Sequence, residues 1–264
     1  MYAFRLHKPT TIEAAAALLA EHDDASVIAG GQTLIPTLKQ RLANPSDLID
    51  LGAIPGLSGI SRAGAVLRIG AMTRHAEVAA STEAARAIPV LAHLAGGIGD
   101  PQVRNRGTIG GSVANSDPAA DYPAAVIALG ATIHTSKRAI AADDFFKGMF
   151  ETALAAGEII THLEFPVPAR SGYVKFPNPA SRYAVVGVFV AVFDSGVRVG
   201  VTGAGPCAFR AKGYEAALQM NLAPEALDAI EVSAGDFNND LHASADYRAN
   251  LVKVMAKRAV ATLR

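Results

Sequence analysis

Two short segments carry the clearest chemical signal in the chain: Ala29-Gly30-Gly31-Gln32-Thr33 and Thr108-Ile109-Gly110-Gly111-Ser112. Each sets paired glycines beside small hydroxyl or amide side chains. Without a Cβ in the way, successive backbone N–H groups can converge on one point, and a helix that follows adds the partial positive charge of its N-terminus. Phosphate oxygens suit such a backbone. Two loops of this kind could grip the two phosphates of one dinucleotide from opposite sides, so that Gly30→Asp or Gly110→Asp would set a carboxylate beside them. The competing reading is that each Gly-Gly pair is an ordinary turn. Neither segment matches the Gly-x-Gly-x-x-Gly of Rossmann dehydrogenases or the Gly-x-x-x-x-Gly-Lys-Ser/Thr of P-loop ATPases.

Other chemistries find less support. The seven histidines are scattered and show no His-x-x-x-His spacing, so no metal site is expected. Nothing resembles a Ser-His-Asp set or a Gly-x-Ser-x-Gly elbow. A single cysteine, Cys207, cannot form an intrachain disulfide or supply an iron-sulfur cluster. Arg104 and Arg106, among the glycines of residues 96–111, either neutralise phosphate or form surface or interdomain ion pairs. Asp121 reads as a helix N-cap, as a carboxylate acceptor for a ligand, or as both. Lys175, on its residue type alone, reads as a solvated surface lysine.

The elements that must position the glycine loops follow from local pattern. Thr10-Thr11-Ile12-Glu13 fits a capping box, and the Ala- and Leu-rich stretch to Glu21 predicts a helix. Ser26–Ala29 predicts a strand. After the glycine turn, Leu34, Leu38 and Leu42 predict a helix over 33–42. Strands are predicted at 48–51 and 66–69 with a loop between, and helices at 74–81, 89–95 and 122–131. Further strands are predicted at 131–135 and 160–165. The prolines and glycine between Pro166 and Pro179 predict a linker. Beyond it, a hairpin over 184–193 and 197–202 turns at Asp194-Ser195-Gly196, and helices are predicted at 208–219 and 247–263.

Bulk composition narrows the function class. With 264 residues, half of them hydrophobic, the chain can bury a sizeable core without disulfides. The 24 Lys plus Arg balance 24 Asp plus Glu, which disfavours nucleic acid or an anionic membrane as partner. The longest apolar run, Ala184–Phe193, is half of the roughly 20 residues a membrane helix needs, and the start lacks a signal-peptide core. A cytoplasmic protein is expected.

At the glycine motifs the sequence resembles a family: the FAD-binding medium subunits of molybdenum hydroxylases, seen in carbon monoxide dehydrogenase medium chains and in the central domain of xanthine dehydrogenase. The resemblance rests on residues 29–36 (AGGQTLIP), residues 102–115 (QVRNRGTIGGSVAN), Pro118-Ala119-Ala120-Asp121, and Tyr173-Val174-Lys175 leading to Tyr183. It implies an α+β chain with a vanillyl-alcohol-oxidase-like (PCMH-type) FAD fold: two α/β subdomains, residues 1–55 and 56–167, and a C-terminal α+β domain, residues 168–264, of the carbon monoxide dehydrogenase flavoprotein type. Ala29, Gly30, Gly31, Gln32, Thr33 and Leu34 would wrap the pyrophosphate from one side, and Thr108, Gly110, Gly111 and Ser112 from the other. Asp121 would meet ribose or ribityl hydroxyls, Ile160 would support the adenosine or flavin, and Lys175 would lie near the flavin with Tyr183 against its ring. Ile98 stands where relatives often carry an aromatic residue, and Phe176-Pro177-Asn178-Pro179 departs from a more basic run.

The same resemblance implies an electron-transfer subunit. A molybdenum-binding large subunit and a [2Fe-2S] small subunit would be its partners, in a hetero-oligomer of the dimer-of-heterotrimers kind, with the molybdenum cofactor and clusters confined to those chains. No residue here need act on the organic substrate. Two other readings stand beside it: a self-contained flavin oxidase of the same fold, and a nucleotide-binding module without redox turnover. Gln32 after the glycines, with Cys207 far from both loops, predicts noncovalent FAD.

Overall fold

The computed structural model describes residues 1–264. Three main sheets follow one another along the chain, with a two-stranded hairpin inserted in the second. The first is parallel, in the order β1-β3-β2, and is built from β1 (Arg5–His7), α1 (Ile12–Glu21), β2 (Ser26–Ile28), α2 (Leu34–Lys39) and β3 (Asp47–Asp50). Helix α1 begins where the Thr11 side chain accepts the N–H of Ala14 at 3.2 Å. The cap is therefore Thr11, one residue later than the predicted box, and Glu13 stands in the first turn, where its charge favours the helix dipole. Helix α2 is shorter than predicted. Arg41 takes a left-handed φ of 59°, and Leu42 lies beyond the helix, 74% exposed.

The second sheet, in the order β4-β5-β10-β6-β7, is antiparallel. Its elements in sequence are β4 (Ile60–Ala63), β5 (Val66–Gly70), α3 (His75–Ala80), α4 (Thr82–Ala87), α5 (Pro89–Gly96), α6 (Pro101–Arg104), α7 (Ile109–Asn115), α8 (Tyr122–Ala128), β6 (Thr132–Thr135), β7 (Ala139–Ala141), α9 (Ala142–Phe145), the small hairpin β8 (Phe146–Gly148) and β9 (Glu151–Thr152), and β10 (Ile160–Pro166). The predicted loop between 51 and 66 contains β4, which pairs with β5 through the tight turn at Gly64. Side chains alternate across this sheet. Leu67, Ile69, Ile133, Leu163 and Phe165 are fully buried in a common core, whereas Arg68, His134, His162 and Glu164 stay accessible.

The third sheet runs β11 (Arg170–Pro177), β12 (Ala184–Phe193), β13 (Gly196–Thr202), β14 (Phe209–Arg210), flanked by α10 (Lys212–Met220) and α11 (Ala245–Ala261). The proline-rich stretch predicted as a linker is mostly strand β11. Pro166 and Pro177 sit at strand ends, where a missing N–H costs little. Strand β12 is apolar without alternation because both of its faces are covered. Phe189 and Ala191 enter the core shared with α8, while Val186, Val188 and Val190 enter a separate core with α11. No helix is long and apolar enough to cross a membrane.

Candidate functional site

The chain leaves β2 at Ile28 and turns through residues 29–33 into α2. Gly31 makes that turn with φ of +73°, where an L side chain is strained, and an added Cβ would lie 2.7 Å from Ile35 Cδ1. Gly30 has another reason to be glycine. A Cβ there would lie 2.2 Å from the carbonyl oxygen of Arg106, so the first loop touches the approach to the second backbone against backbone. The N–H groups of Gly30, Gly31, Gln32 and Thr33 donate to no protein acceptor. Four free amides along one turn make an anion-binding concavity.

The second motif is built differently. The N–H of His75 donates to Gly107 (2.9 Å) and that of Ile109 to Thr73 (3.1 Å), which locks residues 106–109 against the start of α3. Gly110 donates to the Ala71 carbonyl at 2.8 Å, and a Cβ on it would lie 2.6 Å from the Ala71 methyl. Gly111 and Ser112 donate to the side chain and carbonyl of Thr108, at 3.1 and 3.0 Å, and so start α7. Every amide from 109 to 112 is thus used inside the protein. The expected second set of converging amides is not there. What this loop offers is hydroxyls: Thr108 Oγ1 accepts from Gly111 and keeps its own proton to donate, and Ser112 stands one helical turn further on. Gly110→Asp would act through collision with Ala71 rather than through a carboxylate beside phosphate.

Between the two loops lies a cavity of about 560 Å³, within the roughly 300–1,000 Å³ range of small-molecule and cofactor sites. Ala29, Gly30, Gly31, Gln32, Thr33, Leu34, Thr108, Gly111, Ser112, Asp121 and Tyr183 all line it. Gly110, Ile160 and Lys175 do not. Ile160 is buried in the core of the second sheet. Lys175 lies behind the wall: its ammonium donates to the carbonyls of Gly97 (3.0 Å) and Arg182 (2.8 Å) and pairs with Asp121 at 2.8 Å. Three donors thereby meet three acceptors. Lys175 is a strut rather than a free surface cation.

Asp121 opens α8 without making a side-chain cap. Its carboxylate receives Tyr173 Oη at 2.5 Å as well as Lys175. Burial pushes this carboxyl up, and Lys175 and Tyr173 draw it back toward the charged form. The third sheet holds the segment in place, since Gly203 N–H donates to Pro118 (2.7 Å) and Ala184 N–H to Ala119 (3.1 Å). Tyr183 closes the far side, 42% exposed, after Arg182 at φ of 63°. Its phenol is raised above the ordinary range by burial and by the Asp117 and Asp121 carboxylates, with the Thr33 hydroxyl opposing.

Sequence reasoning missed His75, Asn115 and Asp117, which also line the cavity. His75 is 4% exposed, its Nδ1 has no partner, and burial, aided by the Arg104 charge, holds the imidazole down at about 4. It faces the cavity neutral. No local signal marks it, because the bridge from Arg74 to Thr108 brings it there. Arg104 does not line the cavity: its Nη1 donates to the carbonyls of Ile98 and Gly99 at 2.9 and 3.0 Å. Free amides, hydroxyls and an aromatic ring around one cavity fit a pyrophosphate carrying aromatic ends, the chemistry of FAD.

Comparison with known proteins gives the same answer. Residues 2–168 match the family described as the FAD binding domain in molybdopterin dehydrogenase. The chain is 37% identical to the nicotine 6-hydroxylase medium subunit of Paenarthrobacter nicotinovorans, covering 98% of this chain and 96% of that one. It is 35% identical to the carbon monoxide dehydrogenase medium chain of Hydrogenophaga pseudoflava, over 97% and 96%. The solved carbon monoxide dehydrogenase from H. pseudoflava that lacks the Mo-pyranopterin moiety superposes with a TM-score of 0.90 at 36% identity, over 98% of this chain and 96% of that one. The α+β, PCMH-type fold and the FAD cofactor implied by the family resemblance are therefore those of the protein, and the chain belongs to the family of FAD-binding oxidoreductase subunits of molybdenum hydroxylases.

Proposed function

We propose that this chain is the electron-transfer subunit of such a complex, taking electrons from a [2Fe-2S] small subunit, which receives them from a molybdenum-binding large subunit, and passing them to an external acceptor. The observation that carries the reading is the row of four unpaired amides, Gly30 to Thr33, facing hydroxyls of the second loop across one cavity. Bound FAD supplies reversible redox chemistry that accepts electrons singly or in pairs. The chain's own residues bind and shape. Amides of residues 30–33 receive pyrophosphate oxygens, flanked by Ala29 and Leu34, while the Thr108 and Ser112 hydroxyls donate from the other side. Gly110 and Gly111 let α7 approach. Asp121, held by Lys175 and Tyr173, presents a fixed carboxylate to sugar or ribityl hydroxyls, and Tyr183 packs on the ring. Ile160 and Lys175 act from behind, through packing and through the wall.

Gln32 offers no nucleophile for a covalent flavin link, and Cys207 is not among the cavity residues. FAD is expected to be noncovalent, so acid precipitation should leave a colourless pellet; a yellow one would point to a bond to His75, the imidazole that lines the cavity. Purification from the native host tests the assembly: molybdenum, iron and two further chains should accompany the flavin in fixed ratio. A yellow chain that purifies without iron or molybdenum and turns over alone would make it a self-contained oxidase instead.

A further inference from the structure

On the accessible face of the second sheet, away from its buried core, three side chains converge. His162 and Glu164 alternate on β10 and so share a face, and His134 on β6 is the cross-strand partner of His162. A β-bulge between Ile160 and His162 sets this register. The two imidazole rings stack with centroids 4.2 Å apart and 7° between planes. Both turn Nε2 toward one carboxylate: His134 Nε2 lies 3.1 Å from Glu164 Oε2 and His162 Nε2 lies 3.7 Å from Oε1. One ligand atom from each of the three lies within 4.8 Å of the others.

We infer that His134, His162 and Glu164 form a binding site for a divalent cation of the zinc type. Two ligand atoms, each about 2.1 Å from a tetrahedral ion, lie about 3.4 Å apart. The observed 3.1 and 3.7 Å, measured to the two oxygens of the Glu164 carboxylate, bracket that value, and all three ligand atoms lie within 4.8 Å of one another. The donor set of two imidazoles and a carboxylate suits zinc and its transition-metal neighbours rather than calcium or magnesium, with water completing the sphere. The outer shell agrees. His162 Nδ1 lies 3.1 Å from Thr161 Oγ1, which itself donates to the His134 carbonyl at 3.2 Å. In the tautomer that donates Nδ1–H to Thr161, Nε2 keeps its lone pair for an ion, and because the two rings stack nearly parallel, one of them turns to bring both Nε2 atoms onto a single cation.

The surroundings distinguish this cluster from another of similar composition. Arg68 sits opposite Glu164 on β5, yet makes no ion pair with it; its Nη2 lies 3.5 Å from His162 Nδ1, the nitrogen remote from the site. Glu164 remains free for a cation. In the group His7, His22 and Asp47, by contrast, the carboxylate is fully buried and already held by Arg5 Nε at 2.8 Å and Arg5 Nη2 at 2.9 Å, with His7 at 2.6 Å. An ion there would have to displace a guanidinium.

The test is Zn²⁺ binding to the full chain by calorimetry and equilibrium dialysis, with flavin content measured in every sample. One Zn²⁺ per chain is expected. Since changes to the outer shell alone weaken metal sites by about 10–100-fold, His134→Gln, His162→Gln and Glu164→Gln should each weaken binding at least that much, and His7→Gln with His22→Gln should leave it unchanged. These side chains are accessible, so the variants should retain their fold and flavin. X-ray absorption at the zinc edge of the unmodified chain gives a second readout, with two imidazoles expected in the first sphere. No stoichiometric site, or affinity unaltered in the β6 and β10 variants, would overturn the inference and leave a hydrogen-bonded surface triad.

Discussion

Replacing Lys175 by Met tests how the wall of the flavin site is held. The pair it breaks is deeply buried: the side chains of Lys175 and Asp121 are 13% and 3% exposed. Removing one member of such a pair leaves an uncompensated charge in a low-dielectric setting and costs about 3–5 kcal/mol. The carbonyls of Gly97 and Arg182 lose their donor as well, and Arg182 precedes Tyr183, which lines the cavity. Urea denaturation of the purified variant should show that loss, and FAD affinity should fall as the 181–183 segment loosens. Because much of the cost is the stranded carboxylate, adding Asp121→Asn should return part of it, a coupling of about 1–3 kcal/mol. A Lys175→Met protein that keeps its stability and its full flavin content, yet shifts in flavin midpoint potential, would refute the strut and place the ammonium against the flavin.

Three further outcomes follow from the geometry. His75 titrates at about 4 in the folded chain against about 6.5 unfolded, so the unfolded state binds more protons between those values. Its share of stability is complete above about pH 6.5 and falls by roughly 3 kcal/mol as pH drops to 4, so urea midpoints of His75→Asn should lose that part of the slope. Gly110→Ala forces a methyl onto Ala71 and should cost about 1–3 kcal/mol of stability before flavin binding is considered. Gly31→Ala, in contrast, strains a left-handed turn at the cavity by about 1–2 kcal/mol and should reduce FAD affinity more than stability, as fluorescence titration would show.

What the sequence revealed tracks how local each signal is. The hairpin at Asp194-Ser195-Gly196 and the start of α1 depend on neighbours a few residues away, and both were readable to within a residue or so. Strand β11 was hidden because its prolines sit at strand ends, where composition alone suggests a linker. The first glycine loop was legible as a turn of unpaired amides because paired glycines beside small polar side chains mark such a backbone locally. The second was misread in mechanism: nothing near Gly110 in sequence announces that its N–H belongs to Ala71. The Lys175 strut joins residues 54 positions apart, and the His134, His162 and Glu164 cluster exists only once β6 pairs with β10. Spacing rules for helical metal motifs could not have found it.

The central claim is that the loop at Gly30–Thr33 and the hydroxyls of Thr108 and Ser112 hold FAD. Its most direct measurement is FAD titration of flavin-stripped chain, followed by absorbance. One FAD per chain is expected, with flavin bands that bleach on chemical reduction and strongly weakened uptake in Gly31→Ala. A chain that stays colourless with excess FAD, or a Gly31→Ala protein that binds it as tightly as the parent, would contradict it.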